Sequence, residues 1–221
     1  MAEPLLEARG LDKRYRRGAE WVHAVAGVDL ALFPGELVAL VGPSGSGKSS
    51  LLGLLAGWEP PDAGELAWAP AAAGGAPGWS ELATVPQALG LLEDLTVREN
   101  VALPVRLRLG RRRATGGRTE ELLGLFGLAE LADRSPSETS LGQQQRAAVA
   151  RALVLTPQLV LADEPSAHQD AAWVHDVFAA LRQVVHDRGA ACLVATHDPD
   201  ALQFADRVLH LADGQLTERE P

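Results

Sequence analysis

The chain has 221 residues, 47% of them hydrophobic and 22% charged, with a formal net charge of −9 and an isoelectric point near 5.1. That length and composition provide a core of ordinary size, in one large domain or a domain with a subdomain. The acidic balance excludes a general role in coating DNA or RNA, which needs a basic face, so any contact with a polyanion must be local.

In chain order, the opening "MAEPLLEARG" lacks the basic-then-apolar order of a secretory signal. "ELVALVG" (36–42) reads as a buried strand and "KSSLLGLLAG" (48–57) as the helix after it, with Gly57 as its C-terminal stop. "AWAPAAAGGAPGWS" (67–80) is a surface excursion by its Ala, Gly and Pro content. Residues 95–135 read helical, broken at Gly110 and at Gly116 and Gly117. The six arginines of "RLRLGRRRATGGR" (106–118) read as a solvated helix edge and loop, because those glycines interrupt any continuous face. Strand patterns at 159–163 and 191–196 flank a helix near 171–187, where Val174, Val177, Phe178, Leu181 and Val184 recur at helical spacing. The alternation predicts an α/β domain with a mainly parallel sheet. The lone cysteine, Cys192, excludes an internal disulfide and reads as a buried thiol. No apolar run approaches the roughly 18 residues that mark a membrane span, so a soluble, cytoplasmic chain is expected.

Between the first strand and its helix lies "GPSGSGKS", Gly42 to Ser49, which fits the phosphate-binding loop G-x-x-x-x-G-K-[ST] in its required context. Gly42, Gly45 and Gly47, with Pro43, Ser44 and Ser46 between them, let main-chain N–H groups converge on an anion, and the helix adds its positive dipole end. Lys48 reaches terminal phosphates, the Ser49 hydroxyl suits Mg²⁺, and Ser50 adds a hydrogen bond. "LVLADEP" (159–165) puts Asp163 and Glu164 at the end of an apolar strand. Asp163 is suited to the Mg²⁺ shell and Glu164 to polarising the water that attacks a γ-phosphate.

With these motifs in place, the sequence resembles the ATP-binding cassette family along nearly its whole length. "SLGQQQRAAVARAL" (140–153) matches the family's signature segment, and "EPSAHQD" (164–170) its dimer-contact loop ending in Asp170. "ATHDPDAL" (195–202) carries the switch histidine at His197, and "TVPQALGLLEDLTVRENV" carries the glutamine-loop position at Gln87. The resemblance implies that Gln87 contacts the metal and the attacking water. It also implies that Tyr15, in "LDKRYRRG", stacks on adenine, and that Ser140, Gly142 and Gln143 meet the nucleotide of a second copy. Ser140 and Gln143 also form an S-x-x-Q capping box ahead of an apolar helix. His197, after the last core strand, is placed to donate to the γ-phosphate.

The family resemblance implies a P-loop NTPase core at 1–88 and 154–221, a small antiparallel β part and an inserted helical subdomain at 89–153. It implies ATP and Mg²⁺ as ligands, a second cassette subunit and an integral-membrane permease as partners, and no nucleic acid. "LTVRENVALPVRL" and "FADRVLHLADGQL" are similar to the small cassettes of lipoprotein-releasing, macrolide-exporting and cell-division transporters. Such a chain lies on the inner face of the cell membrane through its permease, with Leu91 to Thr96 as coupling candidates.

The signature departs from Leu-Ser-Gly-Gly-Gln: Thr139-Ser140-Leu141-Gly142-Gln143 has leucine at the first glycine. If that position needs a glycine-only backbone or close phosphate approach, Leu141 costs about 1–2 kcal/mol and slows turnover. Gln169 stands where the family commonly has leucine, and Pro86 where an aromatic is frequent. Three readings therefore stand: a transporter ATPase subunit, a degenerate regulatory cassette that mainly binds ATP, and a soluble cassette ATPase without a permease.

Overall fold

The computed structural model describes residues 2–69, 77–78, 81–109, 117–166 and 171–219. Among the described residues, nine strands form two sheets. The smaller is antiparallel, with β1 (Leu6–Arg17) between β2 (Glu20–Leu32) and β4 (Ala63–Trp68). The larger has six strands in the order β5 (Leu82–Val85), β6 (Leu159–Asp163), β7 (Ala191–Ala195), β3 (Leu37–Val41), β8 (Arg207–Ala212) and β9 (Gln215–Arg219). All its neighbours pair in parallel except β8 and β9.

The central strands β6, β7 and β3 are apolar up to Asp163 at the end of β6, because both faces are covered. Leu159 and Leu161 of β6, Leu193 of β7, and Val38 and Leu40 of β3 face the antiparallel sheet and α1 (Lys48–Leu55). Val160, Ala162, Cys192 and Val194, the alternate positions, face the other side. There they meet Phe126, Val149, Leu153, Val177 and Phe178, contributed largely by α4 (Leu141–Leu153) and α5 (Ala171–Arg188). Burial pushes the Cys192 thiol far up, which makes it inert.

Between β5 and β6 run α2 (Val97–Leu109), α3 (Gly117–Leu125) and α4. The first of these is described as far as Leu109 and tolerates Pro104 within it; the expected breaks at Gly110 and Gly116 lie outside the described residues. Arg106 pairs with Glu99 at 3.1 Å and Arg118 with Glu121 at 2.5 Å. Arg111, Arg112 and Arg113 of the basic run lie outside the described residues. Gly57 stops α1 with φ 71°. Its N–H donates to Leu54 O (2.9 Å) and that of Trp58 to Gly53 O (3.0 Å), the two bonds of a Schellman motif.

Candidate nucleotide site

The loop between β3 and α1 is shaped by close backbone approach. A Cβ at Gly42 would sit 2.1 Å from the carbonyl oxygen of Leu211, and one at Gly47 would sit 2.0 Å from that of Ala24. No side chain fits at either place. Gly47 also caps α1 with φ 105°, while Gly45, at φ 78°, faces open space. Lys48 Nζ folds back over the loop and donates to Gly42 O at 2.8 Å and Pro43 O at 3.1 Å, which leaves a third proton for another acceptor. Ser46 is buried within the turn.

A cleft of about 1110 Å³ opens in front of this loop. Its walls bring together Gly42, Ser44, Gly45, Gly47, Lys48, Ser49 and Ser50 with Gln87, Asp163, Glu164, His197 and Tyr15. These residues come from five separate stretches of the chain. Asp163 is the last residue of β6 and nearly buried. Glu164 follows with φ 52°, a left-handed backbone on a residue that carries a side chain. His197 Nδ1 donates to Glu164 Oε1 at 2.9 Å. That bond and the carboxylate charge raise the His197 pKa above its ordinary value, although the imidazole side chain is 78% exposed. Behind His197, the Asp198 N–H donates to Thr196 Oγ1 (3.0 Å), and Asp198 caps the short α6 (Pro199–Leu202).

The Ser49 hydroxyl, the Asp163 carboxylate and the Gln87 amide oxygen share this cleft, and no cluster of three or more His, Cys, Asp or Glu accompanies them among the described residues. A few hard oxygen donors, with further positions left for water and phosphate, fit Mg²⁺ better than a protein-only cage does.

Tyr15 lines the same cleft with Val22, its cross-strand partner on β2. Its hydroxyl donates to Glu59 Oε1. Burial first, and then the bond to Glu59, push the phenol up to about 12, while the Ser50 hydroxyl acts in the opposite direction. Lys13, paired with Glu59 (3.4 Å) and Asp62 (3.3 Å), locks the acidic support beneath the ring.

The signature forms the start of α4, and its capping box is complete. Ser140 Oγ accepts from the Gln143 N–H (3.3 Å), and Gln143 Oε1 accepts from the Ser140 N–H (2.8 Å). Leu141 is the first helical residue, 48% exposed, and is not among the described residues with positive φ. The glycine-only backbone considered for this position is therefore absent: a leucine fits the N1 geometry without strain. Leu141 and Gln145 reach the cleft wall, whereas Ser140, Gly142 and Gln143 are not part of the lining. Asp170 and Gln169 lie outside the described residues.

Gln145 escaped the sequence reading. Only 3% exposed, it donates from Nε2 to the carbonyl of Glu164 at 2.7 Å. A polar residue in a run of glutamines gives no signal of burial. Arg151, further along α4, ties the chain after Gln87 by donating to Leu89 O (2.5 Å) and Gly90 O (2.6 Å). Buried Asn100 then donates to the carbonyls of Leu92 (3.0 Å), Leu95 (3.1 Å) and Thr96 (3.0 Å).

A P-loop, a strand-end acid pair, a histidine after the next strand and a capped signature helix define an ATPase cassette. Residues 25–167 match the family described as ABC transporter. The chain belongs to this family, as an ATP-binding and ATP-hydrolysing subunit. It is 41% identical to the lipoprotein-releasing system ATP-binding protein LolD 2 of Caulobacter vibrioides, covering 98% of each chain. It is 40% identical to LolD of Maricaulis maris over the full length of both, and 40% identical to LolD of Gluconobacter oxydans over 96% of this chain and 94% of that one. Among solved structures, the dimeric post-hydrolysis state of the ATP-binding cassette MJ0796 bound to ADP and Pi superimposes with a TM-score of 0.86, at 30% identity over 98% of this chain and 99% of that one.

Proposed function

We propose that this chain powers a lipoprotein-releasing transporter, hydrolysing MgATP as a head-to-tail pair of cassettes bound to a separate membrane permease. The observation that carries the chemistry is the single cleft in which Lys48, Asp163, Glu164 and His197 face one another. Main-chain N–H groups from Gly45 to Ser49 and the Lys48 ammonium grip the β- and γ-phosphates. Ser49, Gln87 and Asp163 would hold a magnesium ion, which would supply neutralisation of charge on the phosphate oxygens. Glu164 accepts the proton of a water whose oxygen bonds to the γ-phosphorus as the bond to the ADP oxygen breaks. His197, its pKa raised by Glu164, donates a hydrogen bond to the γ-phosphate as negative charge builds on it. Tyr15 stacks on the adenine, braced by Glu59.

In the paired form, Ser140, Gly142 and Gln143 close over the nucleotide of the other copy, and Asp170 stands at the dimer contact. The absence of these signature residues from their own cleft lining supports that arrangement. The division into a core of 1–88 and 154–221 with a helical subdomain of 89–153 belongs to the same proposal.

No helix among the described residues is long and apolar enough to cross a membrane, which is consistent with attachment to the inner face of the cell membrane through the permease. The segment 91–96, fixed from within by Asn100, is the coupling surface. The names of the LolD relatives support the lipoprotein-releasing branch.

The test is reconstitution: the chain with a candidate multi-span permease in proteoliposomes, assayed for ATP-dependent release of an embedded lipoprotein. Release lost in Glu164→Gln supports the proposal. ATP hydrolysis without any association with the membrane protein would point to the soluble alternative.

A further inference from the structure

Residue 164 is held at three points. Its N–H donates to Ala195 O (2.9 Å), carrying the β6–β7 ladder one residue past Asp163. Its carboxylate takes the bond from His197 (2.9 Å), and its carbonyl accepts from Gln145 Nε2 (2.7 Å). With φ at 52°, a residue that bears a side chain adopts this backbone only where its surroundings impose it. That left-handed turn swings the carbonyl out of the parallel ladder and towards α4, where the buried amide of Gln145 meets it. A part-buried carbonyl deprived of its donor is costly, so removing the amide drives the 164 peptide to rotate towards solvent or an alternative partner. Rotation there moves the carboxylate as well.

We propose that Gln145 is a positioning residue for ATP hydrolysis: its side-chain amide fixes the left-handed backbone at 164 and thereby aims the Glu164 carboxylate at the attacking water. This rests on the reading of Glu164 as the proton acceptor. Gln145 lies two residues beyond Gln143 on the same helix, so one rigid element carries both the signature and the support for this chain's own base.

The full chain carrying Gln145→Met, which keeps the length of the side chain and removes the donor, tests this. Gln145→Glu, which substitutes an acceptor, is the second variant. In both, kcat falls about tenfold while KM and the calorimetric affinity for MgATP stay within about twofold of the parent. In a Glu164→Gln background, Gln145→Met adds no further loss to the residual single-turnover rate, because the group it positions is already gone. The proposal is overturned if folded variants turn over within twofold of the parent, if the loss multiplies with that of Glu164→Gln, or if nucleotide affinity falls in step with kcat. Failure of both variants to fold, judged by circular dichroism, also overturns it by making Gln145 a structural residue. A Glu164→Gln protein as fast as the parent removes the assignment of the base itself, whatever the Gln145 variants do.

Discussion

The Nδ1 of His197 lies 2.9 Å from Oε1 of Glu164, joining the residue two places beyond β7 to the residue just past β6 across the floor of the cleft. Glu164 is largely covered, with its side chain 16% exposed, whereas the imidazole faces solvent. The bond to Glu164 raises the His197 pKa above its ordinary value. A group whose pKa is higher in the folded than in the unfolded chain contributes stability that is complete below the unfolded value, about 6.5, and is lost as pH rises through the folded value.

It follows that the melting temperature of the parent exceeds that of His197→Ala at pH 6, and that the gap narrows as pH rises towards 9. Exposure limits the difference to about 1 kcal/mol at most. Thermal unfolding across that pH series checks it, and a gap that is constant or widens with pH contradicts the pairing.

Gly47→Ala and Gly42→Ala place a methyl carbon against main-chain oxygens at 2.0 Å and 2.1 Å, contacts that only backbone movement can relieve. Each is expected to lower unfolding free energy by at least about 2 kcal/mol. Gly45→Ala meets no neighbour and loses only about 1–2 kcal/mol through its left-handed φ of 78°. Denaturant midpoints of the three variants should fall in that order, and a Gly45→Ala protein as unstable as Gly47→Ala would be inconsistent with this loop geometry.

Leu141 occupies the first turn of a helix in ordinary backbone, so Leu141→Gly relieves no strain. The glycine variant is expected to be less stable by about 0.5–1 kcal/mol. Ser140→Ala, which breaks the capping box, costs about 1 kcal/mol. Unfolding and steady-state ATPase measured together separate the two ways in which Leu141 can act. A Leu141→Gly protein that is more stable than the parent would restore the strain argument.

Tyr15 is the only tyrosine in the chain, so phenolate absorbance reports on it alone. With its pKa pushed up to about 12, chiefly by burial, no phenolate should appear below about pH 11. Glu59→Gln removes the carboxylate charge and shifts the onset to lower pH. An onset near 10 in the parent would mean that the ring is solvated and not held by Glu59.

Much of this arrangement was legible in the sequence because local rules carry it. The strand at 37–41, the glycine turn, the Schellman stop at Gly57 and the capping box at Ser140 all follow from short-range spacing. The order of the six-stranded sheet was not legible. It places β7 between β6 and β3, a consequence of packing among segments far apart in the chain. Nor does spacing report φ, which is why Leu141 read as a strained glycine site and the left-handed turn at Glu164 went unseen. Gln145 was hidden for a related reason: its burial depends on where β6 ends beneath α4.

The proposed function depends on capture of a magnesium-bound triphosphate by the loop around Lys48. Isothermal titration of the full chain with ATP, with and without Mg²⁺, measures this most directly. Magnesium-dependent binding that weakens at least about 100-fold, or roughly 2.7 kcal/mol, in Lys48→Ala is the predicted result. Binding that Lys48→Ala leaves unchanged, or no magnesium-dependent binding by folded parent protein, would contradict the account.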